Sequence, residues 1–553
     1  MLSVFLEVTY NSRVNFKPFP YSALAVEPHF CYNSNKKIIP KILEKRHAMK
    51  QYEMFELSFE GVSPGKELVA EFSHGEKRVY VPGFYDGNGV YRFRFLPEEA
   101  GIYRWTANGE SGAAVCEPAD GTRHGVVRPN GLHLRYSDGE RFSCFGTTVY
   151  ALAHQPDELV RKTISSLKSS PFNKVRFCVF PKHYDYNHNE PELYAFEKTD
   201  GKWDTSKPCY QFWRRFEAII DELGKSGIEC DIILFQPYDR WGFSRLTKGE
   251  SLEYLDYAVR RLSAYPNVWW SLANEYDLMD NYTLSDWKEF AEYISDHDIC
   301  RHMLSNHNCF SYFDFSISQV THCSIQDIFV CEVPELQRKY RKPVIFDECC
   351  YEGNISFGWG NISAFEMVNR FWTAVISGGY CTHGETYMSD DDVLWWSRGG
   401  EMKGKSPARI ALLRSIVESL PGDIDYFPEG VGCLTEEVIA GYRENGIPKN
   451  LIHDFWVKGL CSLPAERVKA FILRSRGVTG ACMDDSGCSA YIKYYGRQCP
   501  SFDRFILPDG SYKVEVIDAW EMTRTVMLEH ASGEINIALP GKEGIAVLAV
   551  RIK

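Results

Sequence analysis

The run "NVWWSLANEYDL", Asn267 to Leu278, opens apolar enough for a buried strand and then ends in Asn274-Glu275-Tyr276. A carboxylate taken out of water without a partner costs several kcal/mol or gives up its charge. Such a strand either runs into a misplaced turn or opens onto a site that wants an acid. The flanking sequence decides between the two. Upstream stand "RFSCFGTTVYAL", "NKVRFCVF" and "IECDIILF", separated by "PDELVRKTISSLKSS", "YQFWRRFEAIIDELGKSG" and "SLEYLDYAVRRLSAYP", which carry helical periodicity. Downstream the alternation continues through "HMLSNHN", "THCSIQD", "KPVIFDE" and "GGYCTHGE". Strand–helix–strand units in series predict a parallel sheet with helices outside it. Eight strands predict an α/β fold of the (β/α)8 TIM-barrel type.

On either side of this region the rhythm changes to period two. "MFELSFEG", "ELVAEFSHG", "KRVYVPGFYDGNGVYRFRFLP" and "GIYRWTANG" are short alternating strands with Gly, Pro, Asp and Asn between them. After the helix "SPARIALLRSIVESLP" short strands return in "RVKAFILRSRG", "SAYIKYYG", "SYKVEVIDAWEMTRTVMLEH" and "EGIAVLAVRIK". The predicted organisation is a poorly ordered extension at 1–48, an Ig-like β-sandwich at 49–123, a catalytic barrel at 124–428 and a C-terminal β-sandwich at 429–553.

Composition narrows the function classes. The 553 residues carry a net charge of −12, which repels a phosphate backbone on average, so nucleic acid is not an expected partner. Aromatics reach 14%, a surplus that suits stacking on flat apolar faces such as sugar rings. The 18 cysteines are irregularly spaced, form no CxxC pair and often sit inside apolar runs, as Cys178 does in "VRFCVF". That usage fits free thiols in a reducing compartment rather than zinc ribbons or disulfides. The first residues, "MLSVFLEVTYNSRVNF", lack a basic n-region, and no apolar run reaches the length of a membrane span. A cytoplasmic protein with no membrane partner is expected.

In a parallel barrel the functional side chains gather at the C-terminal ends of the strands. Those ends hold Tyr150 and His154 for strand one, Arg176 within strand two, Gln236 and Trp241 for strand three, and Asn274-Glu275 for strand four. They continue with His307 for strand five, His322 and Gln326 for strand six, Glu348 for strand seven and His383 for strand eight. One glutamate at a strand end is more often a capping group. Glu275 and Glu348 end strands four and seven, which face each other across the mouth, and two opposed carboxylates are what glycoside hydrolysis uses. Asp347 precedes Glu348; strict alternation lets only one of the two face the cleft.

"WWSLANE" and "KPVIFDE" resemble the retaining glycoside hydrolases of clan A. "THCSIQD", "FDECCYEG", "WWSRGGEMKGKSPARIALLR", "YKVEVIDAWEMT" and "VPGFYDGNGVYRFRFLPEEAGIY" are similar to bacterial apiosidase-like glycoside hydrolases, which flank the barrel with two sandwiches. The resemblance covers roughly residues 50 to 553. It implies Glu275 as general acid/base, Glu348 as nucleophile, Asn274 as a contact to the sugar 2-hydroxyl, and Arg176 as the charge that keeps Glu348 ionised.

The remaining candidates contact substrate in this reading. Trp359, in the Gly-flanked "FGWGN", is the best of the tryptophans for stacking on a sugar, with Trp241 beside it, although either could be plain core. His154, His307, His322 and His383 lack the spacing of a metal motif, and a retaining glycosidase needs neither metal nor cofactor. The expected activity is retaining hydrolysis of O-glycosidic bonds in oligosaccharides or glycosides. Two long segments, Lys182 to Lys207 and Tyr387 to Lys405, are expected to wall the mouth into an exo-acting pocket. A non-catalytic carbohydrate-binding barrel and a transglycosylase share the same residues.

Overall fold

A computed structural model describes residues 48–391, 393–427, 436–474 and 477–552. The extension expected at 1–48 lies outside them except for Ala48, where the first strand begins.

In the N-terminal part, alternation drives strand formation directly. In Phe55–Phe59 the residues Phe55, Leu57 and Phe59 are buried while Glu56 and Ser58 turn outward. A five-stranded sheet and a three-stranded sheet close over one shared core of such residues. Arg94, on the strand Tyr91–Phe95, points away from that core and towards the barrel.

The barrel strands are β1 (Phe145–Thr148), β2 (Lys174–Cys178), β3 (Glu229–Phe235), β4 (Val268–Ala273), β5 (Leu304–Ser305), β6 (Cys323–Gln326), β7 (Val344–Glu348) and β8 (Tyr380–His383). They form one parallel sheet in the order β5-β4-β3-β2-β1-β8-β7-β6. Its helices are α1 (Asp157–Lys168), α2 (Tyr210–Gly224), α3 (Lys248–Leu262), α4 (Leu284–His297), α5 (Val333–Tyr340), α6 (Ala364–Ile376), α7 (Trp395–Arg398) and α8 (Ser406–Ser419). Every residue of β3 is buried, as expected for a strand covered on both faces. Threonine seeds two of the helices: Thr247 and Thr283 each form a capping box, with Glu250 and Asp286 respectively.

The seam between β5 and β6 is closed differently. The Thr321 N–H donates to Leu304 O (2.8 Å), and Ser305 Oγ donates to His322 O (2.7 Å). Asn308 exchanges two hydrogen bonds with the Gln326 backbone, each 3.1 Å. Side-chain amides and hydroxyls stand here where a ladder would.

The C-terminal part pairs a six-stranded antiparallel sheet with a two-stranded one. Between it and the barrel lie three helices, α9 (Glu436–Asn445), α10 (Phe455–Ser462) and α11 (Ala465–Arg474). "RVKAFILRSRG", read as a strand from its sequence, contributes to α11 instead. Val468 and Phe471, three residues apart, share a helical face that packs with Ile439 and Leu460. Among the described residues no helix is long and apolar enough to cross a membrane.

Where the first sandwich meets the barrel, four charged side chains are buried together. Arg94 reaches Glu217 of α2 with two nitrogens and the Arg261 carbonyl at 2.7 Å. Arg261 of α3 grips Glu217 as well, and donates to Asp86 Oδ1 at 2.7 Å. The Phe84 ring lies between the two guanidinium groups, 4.9 Å from each.

Candidate active site

The floor of the barrel mouth is ionic. Lys174 and Arg176, two apart on β2, both turn inward. Lys174 Nζ donates to Asp231 Oδ2 (2.8 Å) and to Asp347 Oδ1 (2.6 Å). Asp347 also accepts from Ser324 Oγ (2.6 Å) and Thr382 Oγ1 (3.0 Å). Against the cost of burial, Lys174 and Arg176 hold the Asp347 carboxyl well below the usual carboxylate range.

Glu348 follows Asp347, and the alternation expected of a strand fails here. Ile325 of β6 pairs with Phe346, but Gln326 pairs with Glu348, so Asp347 is an extra residue in β7. This bulge lets both acids face inward. Arg176 touches both: its Nε lies 3.9 Å from Asp347 Oδ1 and its Nη1 lies 3.7 Å from Glu348 Oε1. The expectation that only one of the pair faces the cleft is corrected. Arg176 lies beside Glu348 as expected, but its charge is divided with Asp231 and Asp347. Burial prevails at Glu348 and pushes its pKa up to about 8, while donors from Tyr351 and Trp359 pull the other way.

Glu275 leaves β4 in a left-handed conformation, φ 57° and ψ 57°. A non-glycine residue there is strained by roughly 1–2 kcal/mol and needs outside support. His307 supplies it. The Glu275 N–H donates to His307 Nδ1 (3.4 Å), the Tyr276 N–H to His307 O (2.9 Å), and the His307 N–H to Ala273 O (3.2 Å). With Nδ1 accepting, the ring proton is assigned to Nε2, which faces Glu348 Oε1 at 3.9 Å. Burial pushes His307 well below its ordinary pKa, so the ring is neutral.

Two side chains join the acids. Tyr150 hydroxyl contacts Glu348 Oε1 and lies 2.9 Å from Asn274 Oδ1. Asn274 Nδ2 in turn donates to Glu275 Oε2 at 3.0 Å. Gln326 Nε2 donates to Glu275 Oε1 (3.2 Å), and Tyr351 hydroxyl contacts the second oxygen of Glu348. Trp396 of α7 packs on both phenols, 5.8 Å from the Tyr150 ring and 5.3 Å from the Tyr351 ring. Trp241, half-buried, donates its indole N–H to Glu190 (2.9 Å) and joins the segments after β3 and β2.

Thus Glu275, Glu348, Asn274, Arg176, Tyr150, His307 and Gln326 come together, with Trp359 beside them and Trp241 further along the wall. Four of the sequence candidates do not. His322 precedes β6 and lies at the opposite, N-terminal end of the barrel, its ring 5.6 Å from the Trp269 ring. His383 faces away from the mouth because its neighbour Thr382 takes the inward position on β8. Its ring stacks on Phe172, and its Nδ1 meets Thr147 Oγ1. His154 packs on Phe212 of α2. Gln236 ties the loop after β3 to the one after β2, with Nε2 on Pro181 O (2.9 Å) and Oε1 accepting from Tyr238 N (2.6 Å).

Sequence reasoning missed Tyr351 and Lys182 as members of the site, which Tyr238 and Trp396 join as well. The signal of Lys182 was weak, because the length of its segment, not its residues, drew notice. The expected walls are real segments with structure of their own. A hairpin, Phe196–Thr199 with Lys202–Pro208, occupies the first and α7 the second. Among the described residues no group of three or more His, Cys, Asp or Glu is placed to hold a metal ion.

Comparison with known proteins gives this geometry a context. Residues 128–411 match the family described as "Apiosidase-like, catalytic domain". Residues 48–110 and 481–553 match two families described as domains of unknown function, DUF5060 and DUF5605. No curated protein matches the chain. Among solved structures, a Bacteroides vulgatus protein assigned to the glycoside hydrolases is similar over 92% of this chain and all of its own, with 31% identity and a TM-score of 0.78. A glycoside hydrolase family 5 structure from the same organism covers 77% of this chain and 94% of its own, with 14% identity and a TM-score of 0.55; that likeness is one of fold.

Proposed function

The chain belongs to the apiosidase-like family, within the glycoside hydrolase fold, and on that premise we propose that it hydrolyses O-glycosidic bonds with retention at the anomeric carbon. The observation that carries this reading is the joining of Glu275 and Glu348 through Asn274 and Tyr150 at one buried mouth.

In the first step Glu275 gives its proton to the glycosidic oxygen while the Glu348 carboxylate attacks the anomeric carbon. The carbon–oxygen bond to the leaving group breaks and a glycosyl ester forms on Glu348. In the second step Glu275, now a carboxylate, takes a proton from water. That oxygen displaces Glu348 and frees the sugar. Asn274 is placed to hydrogen-bond the sugar 2-hydroxyl, and Tyr351 with Tyr150 to receive and release the Glu348 oxygens. Trp359 and Trp396 offer apolar faces beside the carboxylates. Because burial raises Glu348, its attacking form is the minor one below about 8, and kcat/KM, which also needs the proton on Glu275, should trace a bell against pH.

We further read the mouth as a pocket that releases terminal units from small glycosides. The segments after β2 and β8 meet where the Ser397 hydroxyl donates to Tyr186 O at 2.9 Å, and the end of β1 joins the latter where the Tyr150 N–H donates to Trp396 O at 3.0 Å. A cytoplasmic address fits such substrates and the free thiols of the described cysteines. The test is a panel of aryl glycosides and plant oligosaccharides, followed by product sizing and by the anomer first released. Early monosaccharide of retained configuration supports the reading. Inversion would remove the nucleophile role, and mid-chain cleavage of a polysaccharide would remove the pocket.

A further inference from the structure

Lys182 is only 3% exposed, and among the described residues no carboxylate lies within ion-pairing distance of it. Its Nζ sits over aromatic faces instead, 3.4 Å from the Tyr150 ring centre, 4.4 Å from that of Tyr238 and 5.4 Å from that of Tyr184. A buried ammonium without an anion costs stability, and a methionine would fill the same space without that cost. Tyrosine faces return part of the cost through the attraction of a desolvated cation to a ring face. The fold has no use for the charge at this position; the site does.

The two closest rings are the ones beside the acids. Tyr150 hydroxyl contacts Glu348; burial pushes the Tyr238 phenol up, and the nearby Glu275 carboxylate adds to that. Arg176, the cation expected to serve Glu348, is divided among three carboxylates. We propose that Lys182 is a positioning residue for the hydrolysis proposed above: its ammonium draws electron density from the Tyr150 ring and so strengthens the hydrogen bond this phenol gives to Glu348. The inference rests on the hydrolytic reading for its role and on the cation–ring geometry for its physics.

The charged and titratable groups facing Lys182 are Glu275 at the end of β4, Arg176 and Cys178 on β2, His307 after β5, and the three tyrosines. Burial lowers its own pKa to about 8, Arg176 adds to that, and Glu275 and Cys178 oppose it. The ammonium is therefore present at neutral pH and is lost above about 8.

The experiment uses the full chain with Lys182→Met and Lys182→Arg. Two readouts are taken: the pH profile of kcat/KM on an aryl glycoside, and the infrared carboxyl band of Glu348, assigned by subtracting the spectrum of Glu348→Gln. Lys182→Met is expected to move the Glu348 midpoint upward by roughly one pH unit, which lowers kcat/KM on the ascending limb about tenfold. Lys182→Arg recovers most of it. In a Tyr150→Phe background the same substitution should no longer move the midpoint. A midpoint unchanged within about 0.2 unit in Lys182→Met, or the same shift with and without the Tyr150 hydroxyl, overturns the proposal. Should Lys182→Met not fold, Lys182→Gln takes its place under the same criteria. If the wild-type chain turns over no glycoside, the hydrolytic reading has failed, and the infrared midpoint still decides the coupling.

Discussion

Arg94 and Arg176 are both buried arginines held among carboxylates, yet they sit in opposite kinds of surroundings. Around Arg94, at the junction of sandwich and barrel, Glu217, Arg261 and Asp86 bind one another so fully that none of their side-chain nitrogens or oxygens lacks a partner. Around Arg176, in the barrel mouth, Arg176 Nη2, His307 Nε2 and Gln326 Oε1 meet no hydrogen-bond partner. The first network is closed, its desolvation offset by geometry. The second holds polar groups that a sugar's hydroxyls could complete. Burial of charge alone therefore does not mark a site; the two regions differ in how completely their buried groups are paired.

The comparison breaks most visibly under substitution of the two acids. Glu348→Gln should lower turnover by about 10⁴-fold or more with the fold intact, and Glu275→Gln by about 10²–10⁴-fold. With an activated leaving group, Glu275→Gln should keep its first step and recover its second when azide is added. Asp347→Asn separates the neighbouring acids: it should lower the melting temperature, because Lys174 and Arg176 lose their counter-charge. A folded but inactive Asp347→Asn beside an active Glu348→Gln would reverse the nucleophile assignment.

The closed network answers the opposite way. Glu217→Ala leaves two guanidinium groups buried against each other and should destabilise the chain by about 3–5 kcal/mol. Activity per folded molecule should not change below the melting transition. Chemical denaturation paired with initial rates checks both; a large loss of kcat in folded Glu217→Ala would join the two regions that are separated here.

A smaller effect sharpens the contrast through pH. Glu348 has its folded pKa raised from 4.5 to about 8, so its contribution to stability is complete below about 4.5 and is lost as pH rises through about 8. Asp347 has the opposite sign, since its lowered pKa stabilises the fold above the ordinary carboxylate range and fails only in acid. Glu348→Gln should thus gain stability over wild type as pH rises from about 5 to 8, by a few kcal/mol at most. Melting curves across that interval test it; a constant offset would mean that Glu348 is already ionised at the lower end. The smallest expected effect is none: EDTA should leave activity unchanged. Activity lost to chelation and restored by calcium or zinc would point to a metal site, for which "HYDYNHNE", residues 183–190 after β2, is the stretch to test.

The barrel and the acid pair were legible because they depend on coarse periodicity: apolar strands alternate with amphipathic helices, and Glu275 and Glu348 end two of those strands. Finer parity was not. His383 turned outward because Thr382 took the inward position, and His322 proved to precede β6 rather than end it. No sequence pattern announces the bulge at Asp347, since its cause is the fit of that carboxylate to Lys174, Ser324 and Thr382 from other strands. Lys182 escaped notice for a related reason: a lysine in a polar loop reads as solvated until the loop is seen folded under itself. Val468 and Phe471 sat in a stretch whose short apolar run fits strand and helix alike.

The bulge in β7 also ties the register of that strand to the chemistry of one seat. A slide of one residue in a parallel strand would bring Glu348 to the Lys174 seat and place Cys349 at the mouth. The seat grips both oxygens of the shorter acid, through Lys174 and Thr382 on one side and Ser324 on the other. A longer side chain cannot fill it without displacing one of the three. The same ionic contact that stabilises the barrel floor therefore disfavours the slipped register, and Glu348 stands in the mouth because its neighbour holds the seat.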